Sequence, residues 1–271
     1  SSPLAGVFIG GIVFGDLSDK IGRQKIYSID FLIIFVLSIL QFFVNTAGTL
    51  FVLRLLLGIC IGAEYAISPA IVAEFVPSRL RGRILTILCM VWTIGYVIAA
   101  YVGAWMQTLG TDSWRWMLSS SAVIAAIVLI LRIGMPETPR WLILHGKIEE
   151  AKRVVAKHLG EDIDLEPTIR EITSRKSSSK AKLSALFRKG QIKHTAFAAI
   201  TWGVNVLPLY ALLSFVPIIL SALGIVDENT FYTLLLNGLY LLAGIIVLFI
   251  VDRFPRKTVT IWGMIVALIP L

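Results

Sequence analysis

The chain has 271 residues, of which 57% are hydrophobic and only 15% are charged. Because a typical soluble domain carries about 25% charged residues, this composition predicts several membrane-spanning helices and excludes an ordinary soluble domain. The formal net charge of +8 does not indicate a nucleic-acid partner, since the basic residues lie in short segments between apolar runs, as the positive-inside rule expects. Cys60 and Cys89 lie inside apolar runs and lack the spacing of a metal or redox motif.

Apolar runs of sufficient length define the predicted helices, because a helix needs about 20 apolar residues to cross a bilayer. A shorter apolar run ends near Gly15 and another starts near Thr258, so we expect the chain to begin and end inside helices. The sequence therefore predicts an all-α, polytopic membrane bundle that is truncated at both ends. The complete runs lie near residues 26–46, 50–74, 84–107, 116–134, 195–222 and 230–251.

The short segments between these runs alternate in charge. Lys and Arg are concentrated in every second segment, whereas the segments near residues 45–49, 107–113 and 223–229 contain neither. Basic loops stay on the cytoplasmic side of a membrane. We therefore expect an integral protein of the cell membrane, in contact with the lipid bilayer, whose cytoplasmic loops are residues 16–25, 75–83, 135–194 and 252–257.

A long polar stretch divides the predicted helices into two groups. It is too long for a turn and too charged to cross a membrane. Within it, residues 148–159 are predicted to form an amphipathic helix with Val154, Val155 and Leu159 on its apolar side. The predicted domains are an N-terminal bundle at 1–134, a cytoplasmic linker with amphipathic helices at 135–194, and the start of a C-terminal bundle at 195–271.

One charged segment occurs twice. The stretch from Gly15 to Lys25 is a charged, glycine-bearing turn between two apolar runs, and a related stretch returns from Asp252 to Lys257. Such a repeat at matching places in two parts of a membrane protein predicts an internally duplicated helical bundle, which is typical of many secondary transporters.

Further motifs accompany the first charged turn. They are Arg54-x3-Gly58-x3-Gly62, Pro69-x4-Glu74 followed by Pro77 and Arg81-Gly82-Arg83, Trp114-Arg115-Trp116, and Pro136-Glu137-Thr138-Pro139-Arg140-Trp141-Leu142. Together they resemble the major facilitator superfamily, and within it the sugar porter family and its metabolite-transporting relatives. The resemblance implies that the chain runs from within helix two to within helix nine of that fold.

The chain also departs from the pattern of that family. Pro255 stands where glycine is usual in the repeated turn, and the glutamine-rich pattern that sugar carriers place in helix seven is not evident. Gly62-Ala63-Glu64-Tyr65 looks more like relatives that move organic acids, phosphate or nicotinate-like compounds. A sugar is therefore one of several small solutes that the resemblance allows.

The resemblance also implies a cytoplasmic gating network. Gly22 permits a tight reversal of the chain, and Arg23 is expected to bind Glu74 at the cytoplasmic end of another helix. Such a cluster would latch the cytoplasmic side shut in the outward-open state. The alternative is membrane anchoring with surface ion pairs of about 0–1 kcal/mol each. The residues expected in the network are Gly15, Asp19, Gly22, Arg23, Glu74, Arg81, Arg83, Glu137, Arg140, Asp252, Arg253 and Arg256.

Three ionisable residues lie inside predicted spans, where such groups are costly and usually functional. Glu64, near the middle of its helix, is expected to face a central cavity and to take up a proton; the alternative is a structural hydrogen bond. Asp30 either joins this proton pathway, reaches the membrane interface or joins the charged cluster. Arg54 either binds an anionic substrate, pairs with a carboxylate or extends to the interface.

Polar and aromatic residues of the second group of helices are further candidates for lining the cavity. Amides and aromatic rings suit hydroxylated or aromatic solutes, although Trp and Tyr near the ends of spans are more often interface anchors. The five candidates are Trp202, Asn205, Tyr210, Asn237 and Tyr240.

We therefore expect a secondary active transporter that moves a small organic solute, a sugar or an organic acid, by alternating access and with coupling to protons. The alternatives are a passive sugar carrier, and a transporter-like sensor or non-transporting membrane subunit. The sequence contains no Walker, zinc or nucleophile-elbow motif. Enzymatic activity, a cofactor and a bound metal are accordingly not expected.

Overall fold

Helices make up most of the part of the chain that the computed structural model describes, which is residues 2–76, 80–108, 110–158, 166, 169–170, 187, 190–222, 229–250, 253–254 and 256–268. No strand occurs among these residues. The helices are α1 (Ser2–Ile21), α2 (Arg23–Phe42), α3 (Ala47–Phe75), α4 (Arg81–Gln107), α5 (Ser113–Ser119), α6 (Ser121–Leu131), α7 (Pro139–Leu144), α8 (Ile148–His158), α9 (Ile192–Ala222), α10 (Asn229–Ile250) and α11 (Arg256–Leu268).

Four helical stretches of the described residues are long and apolar enough to cross a membrane: α2, α3, α4 and the consecutive pair α5–α6. The pair is interrupted at Ser120, where three consecutive serine hydroxyls donate to carbonyls about one turn earlier. The predicted runs at 195–222 and 230–251 coincide with α9 and α10. The predicted all-α polytopic membrane bundle is confirmed.

The junction between α1 and α2 differs from the prediction. The sequence predicts that the first helix ends near Gly15 and that a charged turn follows, but α1 continues to Ile21 and leaves Gly22 alone before α2. Charged residues extend the helix because pairs at i,i+4 spacing stabilise it, as between Asp16 and Lys20. The reversal needs only Gly22, whose φ of 121° lies in the region that favours glycine.

Glycines bring the backbones of α1 and α3 into close contact. A Cβ on Gly6 would lie 2.2 Å from the carbonyl oxygen of Leu55, and one on Gly58 would lie 2.2 Å from that of Pro3. Small residues are typical of such close helix packing in membranes. Gly15 lies outside this contact, because no described atom lies within 4 Å of a Cβ placed there. The glycine seam consists of Gly6, Gly10, Gly58 and Gly62.

The amphipathic helix of the polar stretch is present as α8 and ends at His158, with Leu159 outside the described residues. Val154 and Val155 are buried, as predicted. The apolar side of α8 packs on α7, and Phe75 at the end of α3 and Trp141 join the same apolar cluster. The linker helices therefore add to the core beneath the last turn of α3.

The chain divides into two compact units. One unit comprises Ser1–Ile172 together with Tyr240–Leu271, and the other comprises Thr173–Leu239. All the contacts discussed below lie within the first unit. The division at residues 134 and 194 that the sequence suggests stays a prediction.

Arg115 at the start of α5 binds the end of α2. Its Nη1 donates to the carbonyl oxygen of Phe42 at 3.2 Å, and its Nη2 donates to Asn45 Oδ1 at 3.0 Å. The last carbonyls of a helix have no partner within it and carry partial negative charge. Arg115 supplies a cation there, and Trp116 packs edge-on against Phe42 with ring centroids 4.8 Å apart.

Candidate functional site

A cluster of charged residues joins the start of α2, the last turn of α3 and the start of α7. Arg23 lies at its centre, and its Nη1 donates to Glu74 Oε1 at 2.6 Å while its Nη2 donates to Asp19 Oδ1 at 3.0 Å. Arg140 Nε is 3.9 Å from the same oxygen of Glu74. The expected closeness of Arg23 and Glu74 is thus present in the structure. We call Asp19, Gly22, Arg23, Glu74, Glu137 and Arg140 the charged end.

Burial separates the pair of Arg23 and Glu74 from an ordinary surface ion pair. The side chains are only 18% and 10% exposed, respectively, whereas Asp19 is 64% exposed. Surface pairs contribute about 0–1 kcal/mol, but removing one partner of a buried pair leaves an uncompensated charge and costs more. Among the ion pairs of the charged end, the contact between Arg23 and Glu74 is therefore the one whose loss should cost the most free energy.

Glu137 supplies an N-terminal cap to α2 from far along the chain. Its Oε1 accepts from the backbone N–H of Gln24 at 2.9 Å and from that of Thr138 at 3.1 Å. The first N–H groups of a helix lack partners within the helix, and a carboxylate there also interacts favourably with the helix dipole. A Cβ on Gly22 would lie 2.5 Å from Glu137 Oε2 and would displace the end of that side chain, but the positive φ is what makes glycine necessary here.

The other residues predicted for the gating network are not in this cluster or are only partly described. The carbonyl of Gly15 accepts from the hydroxyl of Ser18 at 3.1 Å. Arg81 and Arg83 lie exposed at the start of α4. Arg253 is exposed, Asp252 lies outside the described residues, and Arg256 begins α11 with a side chain outside the described residues. The gating role of all twelve residues stays a prediction.

Two carboxyl groups lie inside the helical bundle, and we call Asp30 of α2 and Glu64 of α3 the buried acid pair. Asp30 is 2% exposed, and neither of its carboxyl oxygens has a hydrogen-bond partner in the described part of the structure. The thiol of Cys60 lies beside it. This burial excludes the alternatives that Asp30 reaches the membrane interface or joins the charged end.

Glu64 faces the same region from α3. Its Oε1 is buried and has no hydrogen-bond partner among the described residues. Its carboxylate interacts electrostatically with Asp30 and with Arg132, and the hydroxyl of Tyr27 lies next to it. The Tyr27 hydroxyl also reaches Ser68 Oγ at 3.5 Å, which is the limit of a hydrogen bond. The arrangement can hold one or two protons on two neighbouring carboxyl groups, of which Asp30 is buried and Glu64 is half-buried.

Arg132 is the residue of this site that sequence reasoning missed. It follows α6, its guanidinium lies 3.2 Å from the centroid of the Tyr27 ring, and its Nη1 donates to Gln24 Oε1 at 3.1 Å. A guanidinium over an aromatic face is held by the ring quadrupole. Its position in the sequence could have indicated this role, because Arg132 lies within the predicted span 116–134, as Asp30, Arg54 and Glu64 lie within theirs.

The remaining predicted pathway residues lie elsewhere or cannot be placed. Arg54 is half-buried on α3, and its ten-residue separation from Glu64 corresponds to about 15 Å along the helix. Trp202 is exposed on α9. The side chains of Asn205, Tyr210, Asn237 and Tyr240 lie outside the described residues. Of the candidates whose side chains the structure describes, Asp30 and Glu64 are therefore the two that it brings together.

The sequence is similar to those of membrane transporters. The model of the family described as sugar (and other) transporter matches residues 1–271. The inner membrane metabolite transport protein YgcS of Escherichia coli is 36% identical over 245 residues, which cover 90% of this chain and 54% of that protein. The arabinose-proton symporter of Bacillus subtilis is 26% identical over 266 residues, covering 94% of this chain and 57% of that protein.

The fold is similar to that of a solved transporter structure. The major facilitator superfamily proton:xylose symporter XylE of E. coli, bound to 6-bromo-6-deoxy-D-glucose, matches with a TM-score of 0.82. The sequence identity is 24%, and the match covers 95% of this chain and 59% of that chain. The chain spans about half the length of the curated relatives that it matches.

Proposed function

Because the chain belongs to the sugar (and other) transporter family of the major facilitator superfamily, we propose that the whole protein is a secondary transporter that moves a small organic solute across a membrane by alternating access. The solute is a sugar or an organic acid. The names of two relatives, a metabolite transport protein and an arabinose-proton symporter, support this range.

The observation that carries proton coupling is the buried acid pair. Asp30 and Glu64 each have carboxyl oxygens without a hydrogen-bond partner among the described residues. A charged carboxylate at the centre of a membrane costs about 2.5–3.5 kcal/mol on insertion scales. A bound proton removes that cost without a change in shape, so Glu64 is the proposed coupling residue and Asp30 a second proton-binding group.

The charged end is the proposed cytoplasmic latch. The nearly buried contact of Arg23 with Glu74 holds α2 to α3, and Glu137 holds α7 to α2. These contacts join three elements at one end of the bundle, and they would have to loosen if that end opened during transport. Interfaces with two discrete arrangements are the usual elements of such transitions.

A solute-uptake screen on the full-length protein in proteoliposomes tests this function. The probes are radiolabelled xylose, arabinose and glucose and a set of aliphatic and aromatic monocarboxylates, each measured with and without an imposed pH gradient. We expect one class of solute to accumulate only when the outside is more acidic. Uptake that ignores the gradient would remove proton coupling, and solute binding without flux would favour a sensor.

A further inference from the structure

Arg132 lies between the buried acid pair and the charged end. On one side its guanidinium covers the ring of Tyr27 at 3.2 Å and interacts electrostatically with Glu64. On the other side its Nη1 donates to the side chain of Gln24 at 3.1 Å. The described ion pairs include none with Arg132, so the polar partners recorded for it, the side chains of Gln24 and Tyr27, are not carboxylates.

Gln24 continues this connection to the charged end. Its side-chain oxygen accepts from Arg132, and its backbone N–H donates to Glu137 Oε1 at 2.9 Å. Glu137 in turn lies against Gly22, next to the pair of Arg23 and Glu74. Two hydrogen bonds therefore separate Arg132 from the carboxylate that caps α2.

We propose that Arg132 is a positioning residue that couples the charge on Glu64 to the charged end: when Glu64 loses its proton, the guanidinium turns from Gln24 towards Glu64 and the charged end loosens. This inference rests on the proposed function, in which Glu64 exchanges a proton. Arg132 touches neither solute nor proton; it acts through Gln24 and Glu137.

The electrostatics of the surroundings favour this exchange of partners. The groups that face Glu64 are Tyr27 and Asp30 from α2, Cys60 from α3 and Arg132 from the end of α6. Among these groups Arg132 supplies the positive charge. In a region of low dielectric constant, the attraction between a newly charged carboxylate and a guanidinium is much stronger than in water. A proton on Glu64 removes the attraction and leaves Arg132 with Gln24.

Hydrogen–deuterium exchange on the full-length protein in liposomes tests the coupling without any solute. The amides of Gln24 and Thr138 report directly, because both donate to Glu137. Their exchange rates are compared between the native protein and Glu64→Gln at the same pH, which cancels the intrinsic pH dependence of exchange. We expect equal rates at mildly acidic pH and, at mildly alkaline pH, native rates higher by about five-fold or more, the lower end of typical coupling between sites.

Variants of Arg132 decide whether it carries the effect. Arg132→Gln, measured against Glu64→Gln/Arg132→Gln, is expected to lose the pH-dependent difference, whereas Arg132→Lys keeps the charge and most of the response. Gln24→Glu gives Arg132 a permanent anionic partner. It should suppress the pH-dependent difference in exchange although Arg132 itself is still present. Arg115→Gln removes a cation at the far end of α2 and should leave the response intact.

Two outcomes would overturn the proposal. One is a native protein whose Gln24 and Thr138 amides do not respond to pH relative to Glu64→Gln. The other is a response that persists in both Arg132→Gln and Gln24→Glu. In either case proton-driven uptake of solute, if present, leaves the proposed function standing. Absence of any proton-driven uptake in the native protein would instead contradict the proposed function itself.

Discussion

At the scale of single residues, the interior of this bundle combines two acidic side chains with one arginine, contributed by three parts of the chain. Asp30 and Glu64 lie on α2 and α3, and Arg132 follows α6. Among the described residues, the acids have oxygens without a hydrogen-bond partner, while the guanidinium contacts an aromatic ring and an amide. A carboxylate and a guanidinium that interact without a direct ion pair can act as a switch. Protonation of the carboxylate removes their attraction, and loss of the proton restores it.

Gly22 offers a residue-scale prediction. Gly22→Ala should destabilise the protein by about 1–3 kcal/mol, the range for a residue forced into a sparsely populated backbone region, because its φ is 121° and its Cβ would collide with Glu137. The measurement is the apparent unfolding temperature of the purified full-length protein. Glu137→Ala removes the collision but also the cap on α2, so the double variant should lose less stability than the sum of the two single losses.

Gly15→Ala is the matched control for this prediction. A Cβ at Gly15 meets nothing within 4 Å and the residue lies inside α1, so alanine should be neutral or stabilise the helix by about 0.5–1 kcal/mol. Equal losses of stability in Gly22→Ala and Gly15→Ala would contradict the special role of Gly22.

Sequence reasoning identified Glu64 and Asp30 because a carboxyl group inside an apolar run is conspicuous. It missed Arg132 because an arginine at the end of a run resembles the basic residues that anchor spans. Its position over Tyr27 depends on the packing of α6 against α2, which no local pattern contains. Glu137 and Gln24 are 113 positions apart in the sequence, so no short-range pattern predicts that Glu137 caps α2.

At the scale of helices, the close approach of α1 and α3 depends on the glycine seam. Glycines recur at four-residue spacing along both helices, and Gly6, Gly10, Gly58 and Gly62 make the close contacts, whereas Gly15 meets no described atom within 4 Å. The spacing predicts which side of the helix the glycines occupy. It does not predict the length over which the neighbouring helix stays in contact with that side. The true end of α1 at Ile21 was also missed, because charge was interpreted as a turn.

Gly58→Ala tests the glycine seam. A Cβ there would lie 2.2 Å from the carbonyl oxygen of Pro3, so the helices must separate, and we expect a loss of at least about 1–3 kcal/mol from overpacking. Gly95→Ala on α4 has open space around its Cβ and serves as the control. Thermal unfolding of both variants in the same detergent is the measurement, and an unchanged Gly58→Ala would show that α1 and α3 are not held by this contact.

At the scale of the whole molecule, the charged end joins α2, α3 and α7, and the proposed transport cycle requires it to open and close. The resemblance to a known family supplied the pair of Arg23 and Glu74, which are 51 positions apart. No short-range pattern in the sequence predicts such a contact. The state in which it forms, and the side of the membrane on which it lies, stay predictions.

Neutralising the latch should change turnover more than binding. Glu74→Gln and Arg23→Gln each leave a nearly buried charge without its partner, which should shift the balance between open and closed forms by about 1–3 kcal/mol, or about 5–150-fold. The measurement compares solute exchange rates with solute affinity in the full-length protein. Asp16→Asn, which removes an exposed pair with Lys20, should change both by little. A larger effect of Asp16→Asn than of Glu74→Gln would count against a latch.

Coupling of a proton at Glu64 to the movement of the solute can be measured by comparing the native protein with Glu64→Gln. Native protein and Glu64→Gln are reconstituted in proteoliposomes, and the solute found in the uptake screen is followed in two modes, accumulation driven by a pH gradient and exchange without one. Glu150→Gln, which alters an exposed carboxylate on α8, is the control and should behave as the native protein. We expect Glu64→Gln to lose accumulation and keep exchange, because the amide cannot release a proton. Accumulation driven by the pH gradient alone in Glu64→Gln would contradict it and would move the coupling role to Asp30 or to another residue of the full-length protein.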